Sequence, residues 1–104
     1  MVREGATMPR MITRHLLIEG LVQGVGYRAA MQAQAQRLGL TGWVRNRAHG
    51  GVEAIVQGAA EPLERLIAWA HRGPPAARVS AVRVAEARLG SEPRFVRFEQ
   101  LPTA

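Results

Sequence analysis

Cysteine, aspartate and lysine are all missing from this 104-residue chain, and each absence closes off a class of chemistry. Without cysteine there is no disulfide framework, no thiolate nucleophile and no cysteine-bearing zinc or iron–sulfur site. Without aspartate there is no aspartyl-phosphate intermediate and no Asp metal ligand, and without lysine there is no Schiff base or phosphate-loop lysine. Apolar runs are short as well: none approaches the roughly 18 residues that span a bilayer. Arg3, Glu4 and Arg10 stand where a secretory leader would be continuously apolar. The expectation is a soluble, cytoplasmic chain with no membrane partner, of a length that holds one core and no second domain.

What is present fits an ordinary globular domain, with 47% apolar and 21% charged residues. Because lysine and aspartate are missing, the charged set is 14 arginines against 8 glutamates, a net charge of +6. That balance favours anionic partners: nucleic acid, acidic surfaces or small phosphorylated molecules. The sign of the charge does not choose among them.

Residues 1–11 show no period and read as a loose N-terminal extension. From Ile12 to Glu19, Ile12, Arg14, Leu16 and Ile18 alternate with Thr13, His15, Leu17 and Glu19, as a strand with one mostly apolar face requires. Gly20 to Gly26 holds three glycines in seven residues and breaks both periods, so it reads as a loop. Tyr27, Met31, Ala35 and Leu38 then recur at helical spacing, with Gly39 as a left-handed cap. Thr41 to Asn46 and Val52 to Gln57 are β-favouring runs joined across Gly50 and Gly51, which suggests a hairpin. Pro62 suits a first helical turn, Leu63, Leu66, Ile67 and Ala70 make one face, and His71 to Pro74 is a stop. Arg78 to Leu89 reads as another strand and Phe95 to Glu99 as a short last one. The order predicts a ferredoxin-like βαββαβ two-layer sandwich of the α+β class over residues 12–100, with an antiparallel sheet and two helices on one face. Residues 101–104 remain as a tail.

A glycine-rich loop between a strand and a helix converges its N–H groups, with the unpaired donors of the first helical turn, on an anion. Arg28 lies in that turn, where the positive end of the helix dipole makes a cation unfavourable by typically 0.3–1 kcal/mol. By placement alone, such an arginine either grips an anion with its planar fork of donors or extends to solvent beside a tight turn. Gly24, Gly26 and Ala29 also satisfy a dinucleotide-type glycine pattern. The chain is too short for a doubly wound sheet, however, carries no acidic residue about 20 positions on, and continues into a hairpin. Asn46 is the single asparagine. A neutral carboxamide donates one hydrogen bond and accepts another, as positioning a water requires, and it also suits the entrance of a turn.

Taken together, the two segments resemble one family. Gly20-Leu21-Val22-Gln23-Gly24-Val25-Gly26-Tyr27-Arg28 is similar to the first signature of the acylphosphatases, and Gly42-Trp43-Val44-Arg45-Asn46, with Gly50, Val52 and Gly58, is similar to the second. The resemblance runs from about Ile12 to Glu99. It implies a ferredoxin-like hydrolase that cleaves the carboxyl–phosphate bond of acyl phosphates by in-line attack of water, without metal or other cofactor, on a small-molecule substrate and as a monomer. It further implies that Arg28 binds the phosphoryl group, that Asn46 positions the water, and that Gly20, Leu21, Val22, Gln23, Gly24, Val25 and Gly26 form the phosphate cradle. Leu21 stands where many members carry arginine, which weakens the attraction for an anion.

Other features are more simply structural. His15, His49 and His71 show no i, i+4 pair, so no metal site is expected. Met31, Trp43, Trp69, Phe95 and Phe98 read as packing, and the arginines other than Arg28 as solvated surface. RNA-recognition domains share a related element order and a basic charge, but their stacking aromatics are only faintly echoed in Arg94 to Phe98, so no nucleic-acid partner is expected. A phosphate or carbamoyl phosphate sensor is the remaining alternative, and retention of both Arg28 and Asn46 favours the enzyme.

Overall fold

The computed structural model describes residues 10–87 and 95–104. Most of the expected N-terminal extension lies outside these residues. Strand β1 spans Ile12–Leu21, helix α1 Tyr27–Arg37, strands β2 and β3 Thr41–Asn46 and Val52–Gly58, helix α2 Ala60–Ala70, and strands β4 and β5 Arg78–Glu86 and Phe98–Gln100. The strands form one sheet in the order β4-β1-β3-β2-β5.

Period-two alternation decides which sheet residues meet the helices. Leu16 pairs with Ala54 and Ala54 with Val44; one row further on, Ile18 pairs with Val52 and Val52 with Asn46. Leu16, Ile18, Val44, Val52, Ala54 and Val56 are buried in a single cluster with Tyr27, Met31 and Ala35 of α1 and Leu63, Leu66 and Ala70 of α2. Both helices therefore cover the same face. Asn46 is the polar end of an otherwise apolar row on that face.

Helix α1 buries only a narrow stripe, Tyr27, Met31 and Ala35, one residue per turn. It ends in a Schellman arrangement: Leu40 N donates to Ala35 O at 2.8 Å and Gly39 takes φ 72°, a conformation that disfavours residues bearing a Cβ. The chain thereby turns directly into β2.

Three expectations need correction. β1 runs on to Leu21, with a bulge between Glu19 and Gly20, so the loop proper is residues 22–26. Gly20 permits this because it takes φ 123°, and a Cβ there would collide with the backbone of Arg78 and Ser80 on β4. The sheet is mixed rather than antiparallel, since β5 pairs in parallel with β2, Gly42 opposite Phe98. The reason is directional: β4 finishes at the end of the sheet where β5 starts, and β5 takes the opposite edge, beside β2. Finally, β5 is shorter than its β-favouring sequence, beginning at Phe98 after Gly42 N is taken by Arg97 O at 3.0 Å. The expected extension of β4 to Leu89 lies largely outside the described residues.

Beyond β5 the chain keeps to the flank of β2. Leu101 N donates to Val44 O at 2.9 Å, Ala104 N to Asn46 O at 3.1 Å, and Ala48 N to Ala104 O at 2.8 Å. The backbone of Asn46 is thus held on its outer side by residues read from sequence as a tail.

Candidate active site

β1 and β2 are each antiparallel to β3, hence parallel to each other. Their carboxyl ends, Leu21 and Asn46, lie at the same end of the sheet. The loop of residues 22–26 springs from the first, and the hairpin of residues 47–51 from the second.

The loop's own side chains do not face outward. Val22 is 1% exposed within the core and Val25 packs against that core from the surface. Gln23 donates from Nε2 to Arg47 O at 2.7 Å and to Gly51 O at 2.9 Å. Gly24 and Gly26 hold φ 77° and 81°, and a Cβ on either would meet nothing within 4 Å. What the loop offers to its surroundings is backbone. Of the seven residues expected to form a cradle, Val22, Gln23 and Val25 have side chains already engaged elsewhere, and Leu21 is a strand residue left 56% exposed.

Helix α1 begins at this loop with Gly26 as its N-cap, no side-chain capping bond and no acidic residue in its first turn. Its leading N–H groups therefore lack the usual side-chain acceptor, and the dipole favours a negative charge in front of them. The helix start is fixed from behind. The Tyr27 hydroxyl donates to Ala70 O at 2.8 Å, and its ring lies 5.3 Å from that of Trp69. Burial pushes this hydroxyl well above the ordinary tyrosine range, so it remains a donor. Arg28, the next residue, is half-buried and forms no ion pair among the described residues.

Asn46 Oδ1 is buried and has no hydrogen-bond partner among the described residues. An unpaired buried acceptor costs about 1–3 kcal/mol, so such an atom calls for an explanation outside the fold's own needs. A ligand or a water supplies one.

Sequence reasoning missed what lies on the sheet's other face. Arg45 Nε and Arg47 Nη1 both donate to Glu53 Oε1 at 2.8 Å, and His15 Nε2 approaches Glu53 Oε2 at 2.7 Å. Arg45 also stacks over Trp43, 4.8 Å from the ring centroid. These arginines were expected to be solvated surface; instead they converge on a carboxylate that is 10% exposed. Burial pushes Glu53 up, but the hydrogen bonds from His15, Arg47 and Arg45, with the charge of Arg45, outweigh it and bring its pKa from 4.5 down to about 2. The hairpin held the signal: Arg45 and Glu53 face each other in its register.

The acylphosphatase family model matches residues 14–100. A curated acylphosphatase from Acidovorax sp. (strain JS42) is 64% identical over 76 residues, covering 73% of this chain and 78% of its own length. Acylphosphatase 1 from Ralstonia nicotianae is 50% identical over 93 residues, covering 89% and 90% respectively. Among solved structures, an acylphosphatase from Coxiella burnetii superposes with a TM-score of 0.81 at 34% identity, over 88% of this chain and 93% of that one.

Proposed function

The chain belongs to the acylphosphatase family and is a hydrolase of acyl phosphates, and from that premise we propose how its residues divide the work. The phosphoryl group lies against the backbone N–H groups of residues 22–26 and the start of α1, with the Arg28 guanidinium across two of its oxygens. Asn46 holds the attacking water through Oδ1, opposite the bond to the leaving carboxylate.

The chemistry needs little else. A carboxylate departs without a general acid, and a loose phosphoryl transfer spreads negative charge over the equatorial oxygens. Positioning and electrostatic stabilisation then carry the rate. One arginine, a row of amides and a carboxamide supply them, which agrees with a sequence lacking aspartate, lysine and cysteine. The observation that carries this reading is the orphaned Asn46 Oδ1, on the helix-covered face and at the same end of the sheet as the uncapped start of α1. The same reading has the enzyme work as a cytoplasmic monomer.

Phosphate release from benzoyl phosphate in the presence of EDTA tests it. The wild type turns over with chelator present, and Arg28→Ala loses on the order of 10³-fold or more, as loss of an arginine at a transferring phosphoryl group does. Activity abolished by EDTA, or retained by Arg28→Ala, overturns the assignment.

A further inference from the structure

We propose that Gln23 is a positioning residue for the hydrolytic step, setting the distance between the phosphate loop and the water held by Asn46. The inference rests on the roles given above to the loop and to Asn46.

The Gln23 side chain crosses from the loop to the hairpin and spends both amide hydrogens there, on Arg47 O at 2.7 Å and Gly51 O at 2.9 Å. Two carbonyl acceptors on one side fix the orientation of the carboxamide, since only its nitrogen donates. Those carbonyls belong to the pair that closes the hairpin: Arg47 N donates to Gly51 O at 2.8 Å and Gly50 N to Arg47 O at 3.0 Å. Arg47 directly follows Asn46, and Gly51 directly precedes Val52, the cross-strand partner of Asn46. The clamp therefore bears on the carbonyl of the residue after Asn46 and on that of the residue before its cross-strand partner.

From the other face, Glu53 holds the side chain of Arg47 at 2.8 Å, so the residue after Asn46 is gripped from both sides. Releasing the grip from the loop side lets the two halves of the site drift apart. A misplacement of about 1 Å can cost on the order of 10²-fold in rate. Phosphate binding, which uses the loop backbone and Arg28, is spared because Val22 and Val25 still anchor the loop in the core.

A double-mutant cycle on benzoyl phosphate decides the matter. Gln23→Met keeps the length of the side chain and removes both donors; Gln23→Glu keeps its shape and turns an acceptor towards the two carbonyls. Each should lower kcat roughly tenfold or more while leaving the inhibition constant of inorganic phosphate nearly unchanged. In an Asn46→Ala background, with the positioned water already lost, the same changes should cost less than about twofold. Thermal melts on every variant separate lost positioning from lost fold. Normal kcat in both Gln23 variants, a rise in the phosphate inhibition constant that accounts for the defect, or a full additive loss on top of Asn46→Ala overturns the proposal. Failure of the underlying reading looks different, because Asn46→Ala alone would then turn over normally.

Discussion

A Cβ placed on Gly73 would fall 2.8 Å from Cε2 of Tyr27. The start of the helix that carries Arg28 thus rests on a glycine just past the end of α2, itself at φ 68° and bonded from its N to Trp69 O at 2.8 Å.

Gly73→Ala meets two costs at once, a left-handed backbone and a contact too close for the ring to stay where it is. A destabilisation of roughly 2–3 kcal/mol is expected, which for a domain of this size lowers Tm by about 10–20 °C. Thermal unfolding measures it. An unchanged Tm would show that Tyr27 yields freely and does not hold the helix start in place.

Asn46→Ala should separate activity from stability. Turnover of benzoyl phosphate falls on the order of 10²-fold as the water loses its guide, while inhibition by inorganic phosphate is largely preserved. Because the side chain removed includes a buried oxygen without a partner, the variant should unfold at the same temperature as the wild type or higher. A variant that melts lower yet turns over normally would assign Asn46 to the fold instead.

Glu53 gives the fold a defined acid sensitivity. Its folded pKa, about 2, lies below the ordinary 4.5. The stability it contributes is therefore complete above pH 4.5 and is lost as pH falls through that value towards 2. The loss is on the order of 3 kcal/mol across the window. In urea titrations, Glu53→Gln should be less stable than the wild type at about pH 6, with the gap narrowing at about pH 3. A gap independent of pH would remove the carboxylate's charge from the account.

Leu21, at 56% exposure, can change without cost to the core, and an arginine there would add a cation beside the loop. Leu21→Arg should lower KM for an acyl phosphate a few-fold at low ionic strength. The advantage should fade as salt shortens the Debye length to about 8 Å near 0.15 M. KM measured across a salt series reports it, and an improvement insensitive to salt would point to contact chemistry in place of long-range attraction.

Most of the fold was legible because it rests on local rules. The alternation of β1, the four-residue spacing of Tyr27, Met31 and Ala35, and Gly39 past the end of α1 are each written in a few neighbouring letters. Arg28 and Asn46 could be singled out because each is odd where it stands, one a cation at a positive helix end and the other the single asparagine. The parallel partnership of β5 with β2 could not be read in this way, since it depends on which edge a distant strand finds free. Gln23 was likewise illegible as a clamp: its partners are backbone carbonyls 24 and 28 residues away, and a carbonyl looks the same at every position. Arg45 and Glu53 lay between these extremes, visible once the hairpin register was taken literally.

The strand that launches the loop and the strand that ends in Asn46 are not neighbours; β3 lies between them, with Val52 opposite both Ile18 and Asn46. Their separation is therefore two steps of an inter-strand ladder, each about 4.8 Å. Such a span is counted, not adjusted. Ordinary substitutions leave it whole, whereas slipping β2 by one residue against β3 would turn the carboxamide to the opposite side of the sheet and abolish the pairing of the two groups outright. Evolution can thus retune the rim of this catalyst freely, but it inherits the width of its jaws as an integer.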